Sequence, residues 1–397
     1  MTIAVVHEIF LPIVNGVITS TYSLARNLQE KGHRVFFIAS VEKRSQLPYI
    51  GTVKVHYIPG IPSFVYPQLR IVNPWNYSVE GILNSEAADI VHITGQGILS
   101  WSAITAARRA HIPIVHSFHT LIYKKSYLYY GFRVPGLIHV MKKLIWKYIG
   151  TFIHRSDITT TPSAYVASLL RSHFPESHIV QIHNSIDFEC VDSHDNVDTL
   201  LQHYPEFTNK SFLFVGRLGE EKSVHVLIEA FRKAYKSDRN LRLFVVGDGP
   251  KRREYERAVR SLQLEGVIKF LGRLPHTQLL KSGLYHYSRA LVTASTTENQ
   301  PLSVIEALAC NTPIIVPEVE GITELLFEGG RTFPAGDTDA LAGEILEAAR
   351  DDDGDKNMSN LRGMIEARFG GAITAEQFEK VYHHLLGTTS KMTVGGV

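Results

Sequence analysis

Four charged side chains in this sequence are spaced for chemistry: Arg217 and Lys222, five positions apart, and Glu298 and Glu306, with seven residues between them. The cations follow the apolar run FLFVG, which reads as a strand and a turn. Two positive groups in such a loop suit a diphosphate whose charge grows as the bond to it breaks. The acids lie in TASTTENQPLSVIEALACNTPIIVP, residues 293–317. It reads as a strand end, a polar turn, a helix opening at Pro301 and a strand from Pro313. Proline suits the first helical position because its φ is already helical and its missing N–H is not needed there. Glu306 falls among Leu302, Val304, Ile305, Ala307, Leu308 and Ala309, where a carboxylate needs hydrogen-bond donors or a charge partner. Vicinal sugar hydroxyls are one such partner. The amides of Asn299, Gln300, Leu302 and Ser303 belong to a positive helix end that attracts phosphate. A phosphate seat, a hydroxyl acceptor and a second carboxylate together are what a nucleotide sugar would use.

The Glu298–Glu306 pair, the following ALACNTPII and the upstream VGRL and EK resemble glycosyltransferase family 4, whose members retain anomeric configuration. The resemblance implies that Arg217 and Lys222 bind the donor phosphates, Glu306 the ribose and Glu298 the donor sugar. It also implies that His119, in VHSFHT, contacts the transferred sugar, although His116 in the same motif is an alternative. Pro12, Asn15, Gly16 and Val17 match the family loop after the first strand. Asn15 replaces the first of a glycine pair there, and Gly16 keeps the close backbone approach. Gly247 and Gly249 in VVGDGP are expected to let backbone approach a ligand. The loop Gly272–Pro275, with Arg273 and Leu274, would face the base through backbone groups.

These residues need strand ends to hold them. The first half alternates β-rich and helical runs, with strands expected at Ile3–His7, Arg34–Ala39, Val53–Ile58, Ile90–Ile93, Ile112–Val115, Ile158–Thr160 and Ile179–Ile182. A helix is expected at Thr19–Lys31. The rhythm restarts at Phe212–Val215, Leu241–Val246, Val267–Leu271, Ala290–Thr293 and Ile314–Val316. Such βαβα order predicts α/β domains with parallel sheets covered on both faces. With the resemblance it implies the GT-B architecture: two doubly wound Rossmann-like domains facing across a cleft, with ligands at the carboxyl ends of strands. The expected division is residues 1–187, a polar linker at 188–210, a second domain at 211–370, and a helix in 371–387 that crosses back to the first. After Glu328 the chain reads as helical, and the acidic run DDDGD at 351–355 reads as a solvated loop.

At 397 residues, with 44% hydrophobic and 20% charged residues, the chain is long enough for two cores and has an ordinary globular composition. No apolar run spans a bilayer, and the first residues form a strand, predicting no signal peptide. The two cysteines match no metal spacing, and a reducing cytoplasmic setting is expected. VVGDGP lacks the third glycine of a dinucleotide fingerprint, which disfavours a dehydrogenase. Nucleic acid has no support beyond basic charge.

The net charge is only +2, but residues 90–156 contain no Asp or Glu and nine Lys or Arg. A basic face of this length meets something anionic. Within it Lys124, Lys125 and Tyr127, then Lys142, Lys143, Trp146 and Lys147, describe a helix in a membrane interface, or an amphipathic helix packed on the sheet. Within family 4 this region is similar to diacylglycerol glucosyltransferases. The resemblance implies a metal-independent hexosyltransferase without a cofactor, moving glucose from UDP-glucose to 1,2-diacylglycerol at an anionic membrane surface. It would be peripheral on the inner face of the cell membrane. The alternatives are a soluble transferase acting on a phosphorylated sugar or polyol, and a non-catalytic module that binds sugar nucleotides or bridges a membrane partner.

Overall fold

The computed structural model describes residues 1–8, 16–41, 49–62, 70–73, 78–119, 135–327, 330–351 and 361–387. They form two compact units: Met1–Ser185 with the chain from Gly371 onward, and Ile186–Gly370.

The sheet of the first unit contains β1 (Thr2–His7), β2 (Arg34–Val41), β3 (Tyr49–Ile50), β4 (Val53–Pro62), β5 (Arg70–Val72), β6 (Ile90–Ile93), β7 (Ile114–Ser117), β8 (Ile158–Thr161) and β9 (Ile179–Gln181). Its order is β3-β4-β2-β1-β6-β7-β8-β9, with β5 on β4. All pairs are parallel except those of β3 and β5 with β4. Along β1, Ile3 and Val5 enter one core and Ala4 and Val6 the other. The helices Gly16–Glu30 and Gly371–Leu385 supply Leu24, Leu28, Phe378 and Tyr382 to the first of these cores. The helices Ser78–Ser85, Ile98–Arg109 and Pro135–Ile153 supply Leu83, Leu99, Ala103 and Phe152 to the second. Burial on both faces is why these strands read as unbroken apolar runs.

The second unit has an all-parallel sheet of β10 (Ser211–Val215), β11 (Arg242–Val246), β12 (Ile268–Gly272), β13 (Ala290–Val292), β14 (Ile314–Pro317) and β15 (Arg331–Phe333), in the order β12-β11-β10-β13-β14-β15. From β10 the chain moves to β11 on one side; from β13 it moves to β14 on the other. The carboxyl ends of β10 and β13 therefore flank a topological switch point, where open α/β sheets bind ligands. The first unit has its own between β1 and β6.

Three expectations change. Residues 188–210 are not a linker. They form the helices Phe188–Asp192 and Val197–His203 and place Val191, Leu200 and Phe207 in the core of the second unit. Helices of five and seven residues are too short to display a periodicity. The strand read at Ile112 starts at Ile114, because the Ile112 amide donates to Ala107 O (2.9 Å) at the end of the preceding helix. Pro113 has no N–H, and its carbonyl accepts from Val91 N (3.0 Å). Finally, β15 interrupts the stretch read as helical after Glu328.

Candidate active site

The loop after β10 carries Arg217, a 3-10 turn at Glu220–Lys222, and then the helix Val224–Ser237. Arg217 Nη1 lies 3.7 Å from Glu221 Oε1, and Glu221 is buried at 3% exposure. A Cβ on Gly219 would collide with the Glu221 carboxylate, so glycine there makes room for it. Lys222 Nζ donates to Glu298 Oε1 from the loop after β13, and Thr296 N donates to Glu221 O (2.9 Å). The two switch-point loops are thus tied by an ion pair and a backbone bond. Both expected phosphate-binding cations already face a carboxylate. Ser223, which ends the turn, has φ 47° and ψ 40°, a left-handed conformation that favours glycine.

The helix after this loop runs Leu302–Ala309, so Pro301 precedes its first helical residue rather than occupying it; φ −72° and ψ 116° make it an extended cap. Its carbonyl accepts from Val304 N (3.2 Å). Leu302 and Ser303 open the helix, where amides have no earlier turn to donate to. Asn299 and Gln300 are buried beside them. Gly321, at φ 85°, brings its turn against the carbonyls of Glu298 and Asn299, where a Cβ would lie 2.6 Å from both oxygens.

Glu306 is 3% exposed, as its apolar surroundings foretell, but its partners belong to the protein. His276 Nε2 donates to Oε1 (2.7 Å) and Tyr285 OH donates to Oε2 (2.7 Å). Burial pushes the Glu306 carboxyl upward, yet the His276 charge and these two hydrogen bonds outweigh it and hold it below the ordinary value. Burial opposes the charge on His276 as well, and Glu306 and Asp187 overcome it, raising that imidazole. Neither His276 nor Tyr285 belongs to a motif. The requirement that a buried carboxylate be paired was the only signal for them.

Gly247 and Gly249 are required by the protein's own backbone packing. Gly247, at φ 139°, abuts the carbonyl of Gly216, and a Cβ on Gly249 would press on the Leu218 backbone. Leu218 N donates to Asp248 O (3.0 Å), Lys251 N to Leu218 O (3.0 Å) and Gly247 N to Gly272 O (2.8 Å), lacing three strand-end loops together. Beyond Gly272, Arg273 is exposed, while Leu274 packs on the core.

In the first unit, Gly16 opens its helix; Pro12 and Asn15 lie outside the described residues. His116 is fully buried, with Nε2 3.0 Å from Gln96 Nε2 and its ring beside Phe118 and Phe152. His119 is partly buried just past β7 and lines a cavity of about 20 Å³ with His92, Ser117, Thr160 and Phe378, room for one water. A buried polar chain passes under it, from Tyr382 OH to His92 (2.8 Å), Ser117 (2.7 Å) and Thr160 (2.8 Å). Burial lowers His7, His92 and His116 to about 3 and His119 to about 4. At the first unit's switch point Glu8 accepts from Ser100 N (2.5 Å) and Leu99 N (3.3 Å), capping the helix Ile98–Arg109.

On the helix Pro135–Ile153, Lys142, Lys143 and Lys147 are exposed, with Val140, Leu144 and Tyr148 at 52%, 54% and 44%. Trp146, expected to meet acceptor or membrane, instead stacks on His173 with ring centroids 3.8 Å apart and packs on the core that includes Phe174. The apolar residues next to an inward tryptophan fill the sheet side, so the outward stripe is Val140, Leu144 and Tyr148. Lys124, Lys125 and Tyr127 lie outside the described residues, as does most of the acidic run at 351–355. No helix among the described residues is long and apolar enough to cross a membrane.

The family model for Glycosyltransferase Family 4 matches residues 14–189, and that for Glycosyl transferases group 1 matches residues 200–361. The alpha-monoglucosyldiacylglycerol synthase of Streptococcus pneumoniae is 26% identical over 88% of this chain and 78% of its own. That of Acholeplasma laidlawii is 27% identical over 83% of each. A GDP-mannose-dependent alpha-mannosyltransferase of Mycolicibacterium smegmatis is 27% identical over 82% of each. Among solved structures, Anabaena HepE in complex with UDP-glucose superposes with a TM-score of 0.75 at 16% identity, covering 97% of this chain and all of that one. Sucrose-phosphate synthase from Thermosynechococcus elongatus gives 0.78 at 18% identity, covering 98% of this chain and all of that one. The fold of two Rossmann-like units is GT-B, the activity is that of a glycosyltransferase, and the chain belongs to glycosyltransferase family 4.

Proposed function

We propose that this chain is a retaining, metal-independent hexosyltransferase that moves glucose from UDP-glucose to a membrane diacylglycerol. The observation that carries the reading is the convergence of Lys222 and Glu298 at one switch point, with Arg217 on the same loop as Lys222 and Glu306 on the helix behind Glu298. The donor diphosphate takes over from Glu298 as the partner of Lys222 and also meets Arg217. These two cations and the Leu302 and Ser303 amides stabilise the charge that develops on it, the task a metal ion performs in other transferases. Glu298, released from Lys222, accepts from the sugar hydroxyls, and Glu306 accepts from the ribose. The family resemblance assigns His119 a contact with the transferred sugar. As the C1–O bond to the diphosphate breaks, the acceptor oxygen bonds to C1 on the same face and its proton passes to the leaving phosphate. No protein base is needed.

Glucose and diacylglycerol are supported by the two alpha-monoglucosyldiacylglycerol synthases among the relatives and by the basic, carboxylate-free window. The test is to incubate the protein with a panel of radiolabelled nucleotide sugars and lipid extract. Label from UDP-glucose entering the organic phase supports the reading; label that stays in water with every donor overturns the lipid acceptor. The inward Trp146 favours a second reading, a soluble phosphorylated sugar or polyol as acceptor. Sedimentation with anionic vesicles separates the two, since binding through Lys142, Lys143, Lys147 and the Val140–Leu144–Tyr148 stripe is required only by the first.

A further inference from the structure

We infer that His276 and Tyr285 are positioning residues that make Glu306 specific for a ribose diol, an inference that rests on the proposed role of Glu306 in the donor site. An ionised carboxylate offers about four acceptor positions, two on each oxygen. His276 occupies one on Oε1 and Tyr285 one on Oε2, each at 2.7 Å. Among the described residues no third donor reaches this carboxylate. One position therefore remains on each oxygen, and two adjacent hydroxyls supply one donor to each. With only one protein donor the carboxyl plane would be free to turn about its last torsion, which is broad for a glutamate. Two donors from separate helices, one beginning at His276 and one spanning Leu284–Tyr287, fix that plane.

The environment fits a rigid acceptor rather than an adaptable one. Tyr285 is fully buried, and its backbone carbonyl accepts from Thr312 Oγ1 (2.6 Å), which anchors the phenol from behind. The His276 side chain is 24% exposed while that of Glu306 is 4% exposed, so the imidazole lies toward solvent and the carboxylate beneath it. The other charged groups acting on His276 and on the neighbouring Cys310 are Asp187, Asp192 and Arg362. Of these, Arg362 bonds to Ala309 O (3.2 Å) and to Asp192 Oδ1 (2.6 Å). His276 is therefore the basic group whose bond to Glu306 sets the direction in which the remaining acceptor positions point.

The test compares binding of UDP and 2′-deoxy-UDP by calorimetry to wild type, His276→Ala, His276→Gln and Tyr285→Phe, with donor KM and kcat measured alongside. Wild type should favour UDP about 10- to 100-fold, the range set by one hydrogen bond to a charged acceptor. His276→Ala and Tyr285→Phe should reduce that preference to about threefold or less and raise donor KM, while kcat at saturating donor changes little. His276→Gln keeps an N–H donor and should restore the preference, which a purely structural role of the ring would not do. An unchanged ratio in His276→Ala, with UDP and the deoxy analogue weakened alike, overturns the positioning role. A wild type that binds UDP without discriminating the analogue removes the ribose from Glu306, and this inference with it, while leaving the phosphate seat standing. A wild type that binds no nucleoside diphosphate at all overturns the donor assignment itself. Thermal unfolding of each variant identifies any that fail to fold; for these, Tyr285→Phe, which removes a single oxygen, carries the comparison.

Discussion

Replacing Glu298 by glutamine should separate product binding from catalysis in opposite directions. Lys222 donates to Glu298 in a half-sheltered pair whose side chains are 20% and 12% exposed. A hydrogen bond of this charge-assisted kind is worth about 1.5–3 kcal/mol. A diphosphate that recruits Lys222 must first displace Glu298, so part of that energy opposes binding, and the displaced carboxylate then sits beside the incoming phosphates. Glutamine keeps an acceptor but not the charge. If roughly half of the interaction is lost, UDP should bind Glu298→Gln about 3- to 12-fold more tightly than wild type. Turnover should move the other way, falling about 10²- to 10³-fold, because the acceptor for the donor sugar is weakened where charge develops. Isothermal titration with UDP and initial rates with UDP-glucose read the two quantities on one preparation. Loss of UDP affinity in parallel with turnover would refute the reasoning, since Glu298 would then be assisting the phosphate site rather than competing for it.

Arg217→Ala should lower turnover by about 10²- to 10³-fold while the protein still folds to a cooperative unit, as activity and thermal unfolding assays would show. The single variant takes from the buried Glu221 carboxylate its nearest cation, so Arg217→Ala, Glu221→Gln together should melt at a higher temperature than Arg217→Ala alone. Ser223→Gly should stabilise the protein by about 0.5–1 kcal/mol by relieving the left-handed backbone, measured by denaturant titration; a loss of stability would refute the strain. Three buried histidines of the first unit and the partly buried His119 are depressed in the folded state, to about 3 for His7, His92 and His116 and about 4 for His119. Unfolded histidine titrates near 6.5, so the unfolded chain binds more protons below that pH and stability must fall as pH drops from about 6.5 toward 4. Melting temperatures measured across that range should decline, less steeply in His116→Gln, and a flat profile would contradict the buried neutral cluster.

How much of this was legible beforehand depended on how many residues each feature spans. The strands of both sheets announced themselves because residues such as Ile3, Ala4, Val5 and Val6 fill a core on either face, a signal carried by every position. Boundaries were lost where a hydrogen bond decided them, as at Ile112, whose amide closes the preceding helix. Residues 188–210 were misread because two short helices bury only a few side chains between polar neighbours. At the site, the charged residues were visible as types and spacings, and the burial of Glu306 followed from its neighbours. Their pairing was not visible: Lys222 with Glu298 and Glu306 with His276 and Tyr285 join residues 76, 30 and 21 positions apart. The glycines of VVGDGP carried a geometric requirement whose protein partners, Gly216 and Leu218, were not visible in the sequence. Trp146 failed for a related reason, because an interfacial helix and a helix packed on a sheet share the same amphipathic pattern.

The most direct measurement is the electron density of crystals soaked in UDP-glucose. The account predicts a diphosphate within hydrogen-bond reach, about 3 Å, of both the Arg217 guanidinium and the Lys222 ammonium, with Glu298 turned from the lysine toward the hexose. A diphosphate bound elsewhere, with the Lys222–Glu298 pair still closed, would contradict it.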